Sequence, residues 1–239
     1  MPVQIDILRL STNQLDINLY RTWWLWGPRK QGTVDVFVPD SFEKKDVVAE
    51  IAAMHYLLEE YRVAGDTSGG ANTKIICSFG AIKKASKGQS NFRELNPLSI
   101  FLKCRFSESD IEISKDVSYR HEKALERNVK ITAKSPLSTR IKNHNKEWFE
   151  LSMHALERMM QRWNMSKEEG AWRKLMYIFG DPNTKEYETI KPEDKIERYF
   201  YNDIQNVLFI SKDNNIVTVV YPKDITYLKK REMNIRSAH

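Results

Sequence analysis

Cysteine is scarce. The only two, Cys77 and Cys104, are isolated, each inside an apolar run, which fits core thiols in a reducing cytosol rather than a disulfide or a metal site. Long hydrophobic runs are missing too: nowhere do about 18 apolar residues follow one another, so no membrane span is expected. The opening MPVQIDILRL lacks a basic segment followed by an apolar one, so no secretory leader is expected and a cytoplasmic location is. No internal repeat is visible. What is present, 41% hydrophobic and 11% aromatic residues over 239 positions, suffices for one large domain or two small ones.

A net charge of +6 is modest, but its location is uneven. Residues 1–127 carry 18 Lys/Arg against 17 Asp/Glu, and residues 148–222 carry ten against twelve. The surplus falls in 128–147, with five basic residues and one acid, and in 223–239, with five and two. Ordinary solubility explains such a charge; a polyanion partner explains its concentration in a connecting segment and a terminus.

In the first third, Val3–Leu10, Ile17–Trp26 and Thr33–Val38 read as a three-stranded antiparallel meander, with Gly27-Pro28 and Gly32 at the turn. Asp40 and Ser41 are candidate caps for a helix from about Glu43 to Val63, whose apolar face is Val47, Ile51, Met54, Leu58 and Tyr61. Glu50 falls on or beside that face, where a carboxylate needs a partner unless it snorkels at the rim. Lys74–Phe79 reads as a buried strand and Gly80–Lys87 as a short basic helix. Leu98–Phe106 suits helix or strand, Ile111–Ser114 a short strand, and Tyr119–Asn128 a helix.

The order of three strands, a helix containing AEIAAMHYLLEE and a further strand resembles the ribonuclease H fold over residues 1–127. That resemblance implies metal-binding carboxylates, with Asp6 at the first position and Glu50 on the helix. Ser78 and Phe79 stand where the next Asp belongs, and RHEKALERN supplies none. Two-metal chemistry needs several carboxylates around ions about 4 Å apart. Asp6 and Glu50 are then remnants, no metal or other cofactor is expected, and the unit reads as a degenerate copy.

Residues 128–147 read as a basic linker bearing Lys130, Lys134, Arg140, Lys142 and Lys146, with Ser135-Pro136 favouring a loop. Beyond it, Ser152 is a candidate cap for a helix burying Leu156, Met159, Met160 and Trp163. His154, Arg158 and Arg162, spaced i, i+4 and i+8, form a second stripe fitted to seat a phosphate, or else a solvated face paired with nearby acids. Asn164 ends that helix, Ser166–Glu169 reads as a capping box for the next, and Gly180 with Asp181-Pro182 stops it. Strands at 198–201, 206–211 and 216–221 complete a helix–helix–meander unit over 148–222, so the fold class is α+β with two domains.

HALERMMQRWNMSKEE followed by LFISKDNNIVTVVYP resembles a family of small bacterial and phage domains with a His-Ala-x-x-Arg-Met helix, themselves similar to barnase, colicin and RelE-type ribonucleases. The resemblance implies functional roles for His154, Arg158 and Thr218, and a phage or mobile-element origin, with the host cytoplasm as location. Thr218 is a poor acid, and no second His, Glu or Tyr fills the missing role.

The expected function is RNA binding, with single strands preferred, through Lys130, Lys134, Arg140, Lys142, Lys146, His154, Arg158, Arg162 and the tail residues Lys229, Lys230 and Arg231. Tyr20, Trp23, Trp24 and Trp26 would add stacking where exposed. A metal-independent endoribonuclease built on His154, with Arg158 and Arg162 holding the phosphate, is the alternative. A third reading is a protein-interaction subunit, such as an antitoxin or assembly factor, which needs no phosphate site.

Overall fold

Alternation of apolar and polar residues sets the first sheet. In the computed structural model, which describes residues 5–65, 70–190 and 196–220, strands β1 (Asp6–Asp16), β2 (Leu19–Trp26) and β3 (Lys30–Phe37) form the antiparallel meander. β1 runs further than its apolar stretch suggests, because Ser11 to Gln14 pair with Tyr20 to Trp23 along the hairpin. Leu8, Leu10, Tyr20, Trp24, Trp26, Val34 and Val36 are buried on one face.

Helix α1 (Lys45–His55) covers that face with Val48, Ile51, Ala52 and Met54, then passes into a π turn over Tyr56–Glu60. Its cap is not Asp40 or Ser41. The Glu94 carboxylate accepts from the amides of Glu43 and Lys44, at 3.0 and 2.9 Å, so a distant residue satisfies the open N-terminus. The π turn is fixed from inside: buried Glu59 accepts from Arg105 at 2.7 Å and from the Thr139 hydroxyl at 3.3 Å, and Arg105 also donates to the Gly65 carbonyl.

β4 (Thr73–Cys77) lies parallel to β1, and β5 (Asp110–Ile113) parallel to β4. Between them come α2 (Gly80–Ser86), α3 (Leu95–Leu98) and α4 (Ile100–Lys103), with a turn after Lys103, so 98–106 is helix and turn, not strand. The expected helix over 119–128 is a 3₁₀ turn, Glu122–Arg127. Next, β6 (Asn128–Thr132) joins the sheet parallel to β3, giving the order β5-β4-β1-β2-β3-β6.

The stretch 128–147 is therefore not a linker. Val129 and Ile131 pair opposite Val34 and Val36, Ala133 and Leu137 are buried in the first core, and the chain divides into compact units at Thr139/Arg140. β7 (Thr139–Lys142) and β8 (Trp148–Leu151) are neighbours in a second six-stranded sheet.

In the second unit, α5 (Met153–Trp163) and α6 (Glu168–Phe179) precede β9 (Thr184–Ile190), β10 (Glu197–Asn202), β11 (Val207–Lys212) and β12 (Asn215–Val220). These four strands are antiparallel in sequence order, one more than expected, and β12 also pairs parallel with β8. Phe149, Phe179, Phe200 and Phe209 meet at ring-centroid separations of 4.8 to 5.2 Å and form the aromatic centre. Ser152 does cap α5, accepting from Ala155 N at 3.2 Å, and Asn164 ends it at φ 50°. Ser166 does not cap α6; Lys167 precedes it without a side-chain cap. The protein is thus α+β with two mixed sheets, and no helix among the described residues is long and apolar enough to cross a membrane.

Candidate nucleic-acid interface

Asp6 and Glu50 do not meet. Asp6 pairs with Thr73 where β4 begins, whereas Glu50 faces Ser78, just past the end of β4. Six residues of strand separate Asp6 from Thr12, about 20 Å at the usual rise. The β1 residue beside Glu50 is Thr12, whose hydroxyl also bonds that of Thr22 at 2.8 Å. Asp6 is the acid nearest the start of β1. The unexpected length of the strand moves the relevant position onto a threonine.

Glu50 is fully buried. Its Oε1 accepts from Ser78 N at 2.5 Å, the hydroxyls of Thr12 and Ser78 lie beside the carboxyl, and Oε2 has no hydrogen-bond partner among the described residues. Burial pushes the carboxyl up to about 7, against the pull of the Ser78 amide, the two hydroxyls and the Lys115 charge. Burial also pushes the neighbouring Cys77 thiol up to about 12, which keeps it unreactive. Lys115 reaches over the Phe79 ring at 5.0 Å, and the Lys83 charge acts on Cys77. The site thus combines one carboxyl, two hydroxyls and two lysines. Among the described residues no group of three His, Cys, Asp or Glu is placed to hold a metal ion.

The open face of the first sheet carries polar residues. Arg120 donates to Ser11 Oγ at 2.9 Å and lies 6.0 Å from the Trp23 ring, while Trp23 Nε1 donates to Asn13 at 3.0 Å. Arg21 grips Asp35 bidentately, and the Lys130 charge also acts on Asp35. Trp23 is half-exposed; Tyr20, Trp24 and Trp26 are core residues and offer no stacking surface. Arg120 and Lys115 lie in irregular backbone, where no periodic pattern singles them out.

In the second unit the α5 stripe divides. Arg158 Nε donates to His154 Nε2 at 3.4 Å, both residues being exposed. Arg162 reaches instead to the backbone carbonyl of Val219 on β12, serving the strand rather than a ligand. Beneath them Leu156 and Met159 are buried, but Met160 and Trp163 only half so. Thr218 pairs with Ile210, one residue from Val219, and so faces the opposite side of the sheet from the Val219–Phe209 pair on which α6 packs. No hydrogen bond among the described residues links Thr218 to His154 or Arg158.

The remaining predicted contacts are split. Lys130 and Lys134 belong to the first unit, and Arg140, Lys142 and Lys146 to the second. Arg140 lies 3.8 Å from Glu150, Lys142 sits 5.2 Å over the Trp148 ring, and Lys146 occupies a turn at φ 65°. Lys229, Lys230 and Arg231 lie outside the described residues.

No family model matches the chain, and no curated protein matches it.

Proposed function

We propose that this protein binds RNA, preferring single strands, and that its N-terminal unit is a ribonuclease H-like fold that has lost its catalytic carboxylates. The observation that carries the reading is the placement of Glu50 against Ser78 at the end of β4, beside Thr12, in a sheet ordered β5-β4-β1-β2-β3-β6. In a metal-dependent nuclease several carboxylates would converge there to hold divalent ions. Here hydroxyls replace them, and Lys83 and Lys115 bring positive charge to the same strand ends. Lysines and hydroxyls engage a phosphodiester directly, without a bridging cation. Half-exposed Trp23 beneath Arg120 supplies a flat aromatic and guanidinium surface of the kind on which unpaired bases stack.

Affinity for a labelled single-stranded RNA, measured between about 50 and 300 mM salt, tests this. Log affinity should fall linearly with log salt, by about 0.7 for each phosphate neutralised on a single strand. Double-stranded DNA should bind more weakly at every salt concentration. Absence of RNA binding at about 50 mM salt would refute the reading and favour a protein-interaction subunit.

A further inference from the structure

The first unit also holds a small cavity of about 160 Å³ between α2 and β5. Its floor is apolar, from the buried side chains of Leu102, Phe106 and Ile111. Its polar wall has Lys83 and Lys87, four residues apart and therefore on one helical face, together with Ser86, Ser107, Ser109 and Asp110.

The hydrogen-bond inventory of that wall is asymmetric. Ser86 donates its hydroxyl proton to the Lys83 carbonyl at 2.9 Å, and Ser109 donates to the Gly70 carbonyl at 3.2 Å. Neither proton is free for a ligand. Ser107 Oγ is buried without a hydrogen-bond partner among the described residues, a state that costs free energy unless something else occupies it. Asp110, the single acid among the lining residues, lies 4.0 Å from Lys74, which sits closer to Glu112, at 2.6 Å. Lys83 and Lys87 form no ion pair among the described residues, although the Lys83 charge acts on Glu112 from further away. The cavity wall therefore carries two ammonium groups against one carboxylate, with the unpartnered Ser107 hydroxyl buried behind it and an apolar floor beneath.

We infer that this cavity binds a phosphate monoester. Two lysines match the near-dianionic charge of a terminal phosphate at neutral pH better than the single charge of a carboxylate or an internal phosphodiester. The volume lies below the roughly 300–1,000 Å³ of whole-ligand sites, so it admits the phosphate group while the rest of the ligand stays outside. The lysines have to supply the attraction, since they lie towards the C-terminal end of α2, where the helix itself repels anions. Only the choice of ligand rests on the RNA reading: the monoester is the 5′-phosphate of a bound strand, or else a free phosphate of the same chemistry.

Two measurements separate these. In the first, the ³¹P resonance of inorganic phosphate is followed as the full chain is added at constant ionic strength. It should broaden, and the broadening should disappear with Lys83→Ala/Lys87→Ala and weaken with Ser107→Ala. Both lysines sit at the surface of a short helix, and unchanged circular dichroism of the variants would show that the fold persists. No broadening, or broadening equal in the double variant, overturns the inference. In the second, a 5′-phosphorylated single strand is compared with its 5′-hydroxyl twin. The phosphorylated strand should bind about tenfold tighter, with the advantage lost in Lys83→Ala/Lys87→Ala. Broadening by inorganic phosphate without binding of either strand would keep the site, assign it to free phosphate and remove the RNA reading. Equal binding of both strands, with broadening intact, would also assign it to free phosphate.

Discussion

Replacing Glu50 by Gln should make the protein more stable above neutral pH, at no cost in acid. The carboxyl lies wholly inside the first core, and burial raises it from 4.5 to about 7. A group raised in this way keeps its proton in the native state after the unfolded chain has released it. Between pH 4.5 and about 7 the free energy of unfolding should therefore fall by about 1.4 kcal/mol per pH unit. The contribution is fully present below the lower value and gone above the upper one, a loss of about 3 kcal/mol in all. Gln keeps an oxygen for the Ser78 amide and has no charge to desolvate. Urea unfolding of the unmutated protein and Glu50→Gln, at intervals from pH 4 to 8.5, gives the difference directly, and contributions from other titrating groups cancel. The two should be nearly equal at pH 4, with the variant ahead by up to about 3 kcal/mol at pH 8. A difference independent of pH would refute the reasoning, since it would mean that Glu50 does not titrate differently on folding.

Other expectations follow from single contacts. Arg105→Met should destabilise the first unit by about 3–5 kcal/mol, by removing the cation that faces the buried Glu59 carboxylate, and adding Glu59→Gln should recover much of the loss in denaturant titrations. Ser152→Ala should cost about 1 kcal/mol in the second unit through loss of the α5 cap, measurable in the same way. Arg162→Ala should lower stability, because the Val219 carbonyl loses its donor, whereas exposed Arg158→Ala should leave stability within about 0.5 kcal/mol. RNA incubated in EDTA from about pH 5 to 9 should stay intact; cleavage abolished by His154→Ala would instead support the ribonuclease reading.

Much of the secondary structure was legible because its causes are local. The Ser152 cap and the Asn164 stop lie within one turn of the bonds they make, and the β10–β12 strands follow from alternation and short turns. Where the cause is distant, the sequence was silent. Glu94 caps α1 from some fifty residues away, and Glu59 is held by Arg105 and Thr139, so neither the cap nor the π turn has a local signature. The β6 strand looks like linker in the sequence because its lysines mask the Val129–Ile131 alternation that pairs with β3. Residue type alone points to Asp6. Register, which a single sequence does not reveal, puts Thr12 beside Glu50. The cavity under Lys83 and Lys87 depends on β5 reaching α2, a tertiary event without a motif.

The place of β12 bears on how the chain is made. Its partners are β11, just before it, and β8, which precedes both helices, so the last described strand is an inner member of its sheet. On the ribosome the first unit has all its strands by Thr132, and it can close while the second is still being synthesised. Until Asn215–Val220 emerge, β8 and β11 each present an open edge with unpaired amides and carbonyls. A chain halted before Asn215 would leave a finished N-terminal half tethered to two unsatisfied strand edges, a species prone to pairing with its neighbours and an easy target for quality-control proteases.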